Sequence, residues 1–321
     1  MNEYVPFQTP NLVWDSTIAI YLFLLGISSG AVQLAIAFRN SVKIEKPSEN
    51  WVIRSAAILG TVPTLIGLKL LIFHLTKPWS FWKLMFNYSS TSVMSMGVML
   101  FQLYIAMLTI WIAIMFKDTV AVLINRYLPI FKFLLCWLNV AEKRLLKIIE
   151  FILFIFAAVL GAYTGFLLSA LVSYPMLNNP VLPPLFLASG VSSGIAATFL
   201  MILLVGKLSG ESQEVHFMHK FEVPIMVTEL GLIIAFFVGL HFGGGDKTLA
   251  LQNALSGFWG MVFWIGVIFI GILIPLVANL FAHYKLKHNV KFIVLVSVLD
   301  LIGVLCLRYF ILYAGQLTVV S

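Results

Sequence analysis

Charged residues and cysteine are both scarce in this 321-residue chain. Only 10% of its residues are charged, too few for a soluble domain of this length. Its two cysteines, Cys136 and Cys306, lie far apart without metal-ligand spacing, which excludes a disulfide framework and an iron–sulfur cluster built from them. Residues 1–15 lack the basic segment that begins a cleavable signal peptide. Strand-like alternation is also missing, which disfavours a membrane β-barrel.

Hydrophobic residues, in contrast, make up 61% of the chain, and the mean hydropathy is +1.03. They form eight runs of about 20 residues, the length of a helix that crosses a bilayer. A bilayer core requires a backbone whose polar groups are satisfied internally. We therefore predict an all-α integral membrane protein with eight transmembrane helices. The predicted spans are 18–38, 56–75, 92–116, 148–173, 185–205, 223–241, 257–280 and 292–312.

Lysine and arginine are concentrated on one side of these spans. The connections on the N-terminal side hold three of them, the opposite connections hold fifteen, and Lys69 and Arg308 fall inside spans. Because positively charged loops stay in the cytoplasm, both termini are predicted to face away from it. The net charge of +7 reflects this topology and does not indicate nucleic-acid binding.

The connection over residues 117–147 is long and apolar for a simple loop. Its apolar residues are interleaved with basic ones, which predicts one or two helices on the cytoplasmic membrane surface. A ninth span is the alternative, but it would break the charge asymmetry.

A short motif occurs twice. Residues 26–30 (GISSG) match residues 190–194 (GVSSG) at an offset of 164, which also brings the second and third spans onto the sixth and seventh. Because each unit has four spans, the two units have the same orientation, and we predict two parallel four-helix bundle repeats. The first covers residues 1–173, including the surface segment, and the second covers residues 174–321. The alternative is chance, since glycines four apart are common in membrane helices.

The segment 161–169 (GAYTGFLLS) places one tyrosine, Tyr163, between two glycines in an apolar run. The glycines permit another helix to approach closely. A tyrosine hydroxyl within the membrane needs a partner. That partner is either a neighbouring helix or a ligand.

Ionisable residues inside spans are costly and are therefore candidates for function. Glu229 lies about 10 Å inside the sixth span by helical rise, and Glu222 lies seven residues earlier on the same face. Such carboxylates suit proton entry from the cytoplasm, although Glu229 pairing with Asn279 or a serine is an equal alternative. Asp300 could pair with Lys69 or Arg308, and both basic residues could instead extend to the surface.

Several segments resemble the NrfD/PsrC family of membrane subunits. They are residues 14–31, residues 161–170 with the following Pro175, Asn178 and Pro183, residues 95–97, and Lys77-Pro78 with Phe81-Trp82. The resemblance implies eight helices in two four-helix bundles, with no metal or haem in this protein. It also implies a bacterial inner-membrane subunit with periplasmic termini that oxidises menaquinol near the periplasmic face. Its partners would be an iron–sulfur subunit and a molybdopterin catalytic subunit on the periplasmic side, in a polysulfide-type reductase of which this protein is not the catalytic subunit.

The resemblance also assigns residues. The quinone-contacting positions fall on Tyr21 and Tyr163, and the membrane-embedded charged positions of a proton pathway fall on Glu222, Glu229 and Arg308. His74 stands where relatives often have an aspartate, and an imidazole can also accept a proton near neutral pH. Helical rise places Tyr163 about 10 Å deeper than Tyr21, which an early end of the fourth helix or a tilted quinone ring would reconcile.

Two other functions fit parts of the sequence. A proton-coupled secondary transporter would explain the repeat and a buried glutamate, but Pro63 and Pro275 do not correspond under the 164 offset. A haem b quinol-oxidising subunit needs two histidines that face each other from inside helices. His74 and His241 fall at outer helix ends, and no predicted span carries an inner histidine.

Overall fold

The computed structural model describes residues 7, 12–75, 77–89, 91–127 and 132–320. Within these residues, eight helices are long and apolar enough to cross a membrane, which confirms the predicted number. We call them the first to eighth spans. Their bounds are Ser16–Ser41, Trp51–His74, Val93–Met115, Leu135–Ser169, Leu182–Val205, Gln213–Phe242, Gly257–Phe281 and Val290–Gly315.

The sixth span begins ten residues before its predicted start. Ser212 caps it, since its hydroxyl accepts a hydrogen bond from the Val215 amide at 3.4 Å. Its first turns carry polar and ionisable side chains, so hydropathy marked the apolar part of the helix and not its beginning. The fourth span ends at Ser169, four residues before its predicted end.

The surface segment contains the helices Lys117–Tyr127 and Lys132–Val140. The second of these runs into the fourth span, which begins at Leu135, thirteen residues before its predicted start. Residues 128–131 between the two helices lie outside the described residues. A π-helical turn, Ala141–Leu145, then leads into the regular helix Leu146–Ser169. An ion pair between Lys117 and Glu142 at 2.5 Å ties the two ends of the segment together. Its place on the cytoplasmic membrane surface stays a prediction.

Short helices occupy other connections: Phe81–Phe86, Gly245–Leu255 and Tyr284–Lys287, with 3₁₀ turns at Pro47–Glu49 and Pro78–Ser80. Three spans contain π-helical segments: Ala141–Leu145 in the fourth, Met201–Val205 in the fifth and Val262–Leu273 in the seventh.

The two copies of the repeated motif pack against each other. A methyl group built on Gly26 would lie 3.3 Å from the Gly190 Cα, and one built on Gly190 would lie 3.2 Å from the Gly26 Cα. One turn on, a methyl group on Gly30 would lie 2.2 Å from the Gly190 carbonyl oxygen. Only glycine permits such an approach. The first and fifth spans are accordingly the most buried of the eight, while the division into two bundles at residue 173 stays a prediction.

The bundle has two ends, which we name by their residues. At the N-terminal face the first span begins and the eighth ends, and the Gln316 side chain accepts from the Val13 and Trp14 amides at 2.8 and 3.0 Å. At the opposite end, the basic face, Asn50 donates to Glu214 at 3.1 Å. These two residues are also 164 positions apart.

Candidate functional site

Tyr163 is held between the third and fourth spans near the N-terminal face. Its hydroxyl donates a hydrogen bond to the Val93 carbonyl at 3.1 Å. The ring lies on the backbone of Gly97, where an added methyl group would come within 1.9 Å of the hydroxyl oxygen. The flanking glycines act as predicted: Gly161 packs against Ser29 of the first span, and Gly165 packs against the start of the fifth span.

A groove of about 510 Å³ opens beside this tyrosine. Its lining is apolar apart from the Tyr163 ring and Ser169, and it runs between the third and fourth spans. The apolar residues that line it include Val93, Met96, Met99, Leu100 and Phe166. Met96 and Phe166 are exposed on the outside of the bundle, so the groove is open to the surroundings of the helices. Its volume is within the range of pockets for small organic molecules.

Tyr21 lies near Tyr163 on the same face of the third span. Its ring stacks on Phe101 with the centroids 6.2 Å apart, and it also packs on Gly67 of the second span. Phe101 and Gly97 are four residues apart, so they are neighbours on one helix face. Tyr21 and Tyr163 interact electrostatically. The Tyr21 hydroxyl makes no hydrogen bond to any residue that the structure describes, and the side chain is buried behind the groove and does not line it.

The two tyrosines also lie at similar depths. Tyr21 is five residues from the start of the first span at Ser16, and Tyr163 is six residues from the end of the fourth at Ser169. Both are therefore about 8–9 Å from the helix ends at the N-terminal face. The early end of the fourth span removes the depth difference that the sequence predicted.

His74 lies at this face but does not line the groove beside Tyr163. It ends the second span, and its Nδ1 is 3.7 Å from an Asp15 carboxylate oxygen. Asp15 also caps the first span by accepting from the Thr17 amide at 2.9 Å. Sequence reasoning noted the missing aspartate at position 74 but not this carboxylate, which reaches the same place from another helix.

Arg308 is fully buried, so it does not extend to the surface. Its Nη2 donates to the Ser189 hydroxyl at 2.7 Å and to the Phe186 carbonyl at 3.2 Å. The guanidinium carbon lies 3.8 Å from the centroid of the Phe186 ring. The remaining nitrogens, Nε and Nη1, have no hydrogen-bond partner among the described residues. Lys69, in contrast, is exposed and lies 6.0 Å from the Phe73 ring centroid.

The two glutamates of the sixth span are both buried. Glu229 interacts electrostatically with Arg308. The alternative pairing with Asn279 is wrong, since the Asn279 side-chain nitrogen is buried without a partner in the described part of the chain. Glu222 is 2.5 Å from the Nδ1 atom of His219. His219 is the seventh residue of the sixth span, near the basic face, and does not lie in a loop as the predicted span bounds implied.

Asp300 pairs with neither Lys69 nor Arg308 among the described residues. Its carboxylate accepts from the Ser192 hydroxyl at 3.1 Å to each oxygen, and it interacts electrostatically with Glu229 and Glu222. The second half of the chain therefore holds a buried series of polar groups on the fifth, sixth and eighth spans. Sequence reasoning missed His219 as a member of this series. Its position three residues before Glu222 predicts that the two side chains meet on one helix face.

Sequence reasoning also missed a buried ion pair in the first half. Glu150 of the fourth span is paired with Arg39, whose Nη2 donates at 2.8 Å. The Trp111 indole nitrogen donates to the same carboxylate at 3.1 Å. This pair joins the first, third and fourth spans at the basic face.

Aromatic side chains are exposed at the N-terminal face. Trp79, Trp82 and Tyr88 are exposed in the connection between the second and third spans, and Trp79 is 90% exposed. Tyr174, at the same face, is buried in the core. The segment after the fourth span folds back into the bundle, which removes this side chain from the surface.

These features define a multi-pass membrane protein with a tyrosine-containing groove at one face and a buried polar series in its second half. A family model described as "Polysulphide reductase, NrfD" matches residues 4–320. The chain belongs to this NrfD family.

Three relatives match nearly the whole length of this protein. A protein named "Protein NrfD homolog" from Haemophilus influenzae is 72% identical over 315 residues, which is 98% of each protein. "Protein NrfD" from Escherichia coli is 45% identical over 99% of this protein and 100% of its own length. The C component of polysulfide reductase from Wolinella succinogenes is 37% identical over 96% of both.

Proposed function

We propose that this protein is the membrane anchor subunit of a polysulfide-type reductase complex and that it oxidises menaquinol at the groove beside Tyr163. Membership of the NrfD family supports the role, and the name of the 37% identical relative implies a reductase with several subunits. The observation that carries the proposal is the Tyr163 side chain on the lining of an apolar groove open to the outside of the bundle. A quinol's isoprenoid tail can remain in the bilayer while its ring enters this groove.

The chemistry sets the requirements of the site. Oxidation of a quinol releases two electrons and two protons, so each ring oxygen needs a hydrogen-bonding group and the protons need an exit. Tyr163 serves one oxygen, and the unpaired Tyr21 hydroxyl serves the other. The side chains of Met96, Met99 and Phe166 in the groove exclude water from the quinol ring.

The His74–Asp15 pair is suited to take up the released protons. Both side chains are partly exposed at the N-terminal face, 31% and 47% respectively, so a proton accepted there can pass to water. Imidazole is a common proton-transfer group in proteins. The pair lies where the first span begins and the second ends, at the same face as Tyr21.

The buried polar groups of the second half form the proposed proton pathway. Glu222 lies near the basic face with His219, Glu229 lies two turns further into the bundle, and Arg308 interacts with Glu229. Ionisable side chains that follow one another into a membrane are typical of proton-transfer pathways. The pathway would connect the cytoplasmic side with the interior of the bundle and couple proton movement to quinol oxidation.

The partner subunits are proposed to dock on the N-terminal face, the periplasmic side of the inner membrane. An iron–sulfur subunit would accept the electrons and pass them to a molybdopterin catalytic subunit. The exposed Trp79 and Trp82 supply the aromatic side chains that are enriched at protein interfaces. Crosslinks from these positions should reach the iron–sulfur subunit, and crosslinks found only at the basic face would contradict the docking.

Purification of the protein from native membranes in mild detergent tests the whole proposal. We expect an iron–sulfur protein to copurify and to be reduced when a menaquinol analogue is added. An isolated protein that catalyses proton-coupled solute uptake would instead indicate a transporter, and a haem b absorption spectrum from the purified protein would indicate a cytochrome.

A further inference from the structure

A small enclosed cavity lies between the fifth, sixth and eighth spans. Ser192, Glu222, Ser297 and Asp300 contribute to its lining. Its volume is about 10 Å³. That is the room that one water molecule, or one small ion without its hydration shell, requires. The groove proposed for quinol lies between other helices, so this cavity is a separate feature.

The Asp300 carboxylate has few hydrogen-bond partners in this cavity. An ionised carboxylate has about four lone-pair sites, yet the described residues give it a single donor, the Ser192 hydroxyl, shared between its two oxygens at 3.1 Å each. Glu222 contributes a second carboxylate to the lining, and its described partner is His219. The cavity therefore contains acceptor oxygens in excess of donors.

Ser297 supplies the independent observation. It is 2% exposed and lines the cavity, and its hydroxyl has no hydrogen-bond partner among the described residues. Serines in helices commonly bond back to a carbonyl of their own helix, as Ser189 and Ser193 do at 3.2 and 3.0 Å. Ser297 forgoes this bond, so its oxygen is available to a ligand in the cavity.

The charges around the cavity are unbalanced. The sixth span contributes Glu222 and Glu229, and the eighth contributes Asp300 and Arg308. The fifth span presents serines only, and the seventh has no charged side chain within its bounds. Buried carboxylates require compensation. These three carboxylates outnumber the one guanidinium, and the His219 imidazole is already paired with Glu222.

We propose that this cavity is a binding site for a small monovalent cation, sodium, coordinated by oxygens of Asp300, Glu222, Ser192 and Ser297. Carboxylate and hydroxyl oxygens are the ligands of hard cations. Magnesium usually keeps several water molecules and calcium takes six to eight oxygens, and this cavity has no room for the waters that would complete either shell. The proposal does not rest on the quinol-oxidising function.

Sodium binding is measured on the purified full-length protein by equilibrium dialysis with radioactive sodium and by thermal unfolding in sodium or choline chloride. We expect saturable binding of one ion per protein molecule. At a sodium concentration about a hundredfold above Kd, the Tm should rise by about 5 °C relative to choline. Asp300→Asn should abolish both effects. Glu211→Gln is the matched control, since it removes an exposed carboxylate near the basic face, and should leave both effects unchanged.

Ser297→Ala provides a second route if Asp300→Asn does not fold. Loss of this one ligand should weaken sodium binding about tenfold while the carboxylates remain. Absence of saturable sodium binding in the wild-type protein would overturn the proposal and leave the cavity to a water molecule. Binding of equal affinity in the wild-type protein and both variants would also overturn it, since the ion would then bind elsewhere.

Discussion

The Tyr163 hydroxyl lies directly on the Cα of Gly97, so that a methyl group at position 97 would come within 1.9 Å of the oxygen. This contact sets the position of the tyrosine on the groove, because the third and fourth spans can approach this closely only where one of them lacks a side chain. It also brings the hydroxyl to the Val93 carbonyl, 3.1 Å away.

Gly97→Ala should therefore displace the Tyr163 ring and impair quinol oxidation by about tenfold or more. The added methyl group also clashes with the ring carbon that carries the hydroxyl, at 2.0 Å, so Tyr163→Phe should not relieve the effect. Steady-state quinol oxidation by the assembled complex measures it. Gly231→Ala is the matched control, since a methyl group there meets nothing within 4 Å. If it lowered quinol oxidation as much as Gly97→Ala does, the loss would come from replacing a helical glycine and not from the clash with Tyr163.

Tyr163→Phe removes only the hydroxyl and leaves the ring packed on Gly97. A lost hydrogen bond at a buried site costs about 1–3 kcal/mol, so quinol binding or turnover should weaken about ten- to a hundredfold. Copurification with the partner subunits should be unchanged. Full quinol-linked electron transfer in the assembled variant would assign Tyr163 to packing alone.

Glu229→Gln keeps the shape of a buried side chain but removes its proton-carrying group. We expect proton movement coupled to turnover to slow by about ten- to a hundredfold, with little change in quinol KM, because Glu229 and the groove lie in different halves of the chain. Proton uptake by proteoliposomes, measured beside quinol oxidation, separates the two effects. A raised KM with undiminished proton uptake would remove Glu229 from the pathway.

Glu150→Gln should destabilise the protein by about 3 kcal/mol, because it leaves the Arg39 guanidinium without its buried carboxylate partner. Thermal unfolding in detergent measures the loss. Lys46→Gln breaks the exposed ion pair with Glu49 and should change stability by no more than about 1 kcal/mol. Equal losses in both variants would show that burial of the Arg39–Glu150 pair has no energetic consequence.

The predicted topology has both termini outside the cytoplasm. A reporter fused at residue 210 should be active as a cytoplasmic marker, and one fused after residue 321 as a periplasmic marker, since fifteen basic residues lie on the side of residue 210 and three on the other. The reverse pattern would invert every assignment of sides made for the quinol site and the partner subunits.

The sequence by itself determined the number of spans, and it identified Tyr163 as a tyrosine within the fourth span. Both follow from local properties, since a run of about 20 apolar residues spans a bilayer whatever its neighbours are. The repeated glycine motif also predicted a close helix contact, and Gly26 and Gly190 make that contact with each other. The ends of the helices could not be predicted from hydropathy, because a polar capping residue such as Ser212 begins a helix outside its apolar run.

Tertiary structure alone decided which polar side chains meet. Asp15 and His74 are adjacent, although 59 residues separate them along the chain, because two helices begin and end at the same face. Asp300 meets Ser192, and Arg308 turns inward to Ser189 where it could have extended to the surface. A side chain's direction depends on the rotation of its helix within the bundle, and packing against the other helices sets that rotation.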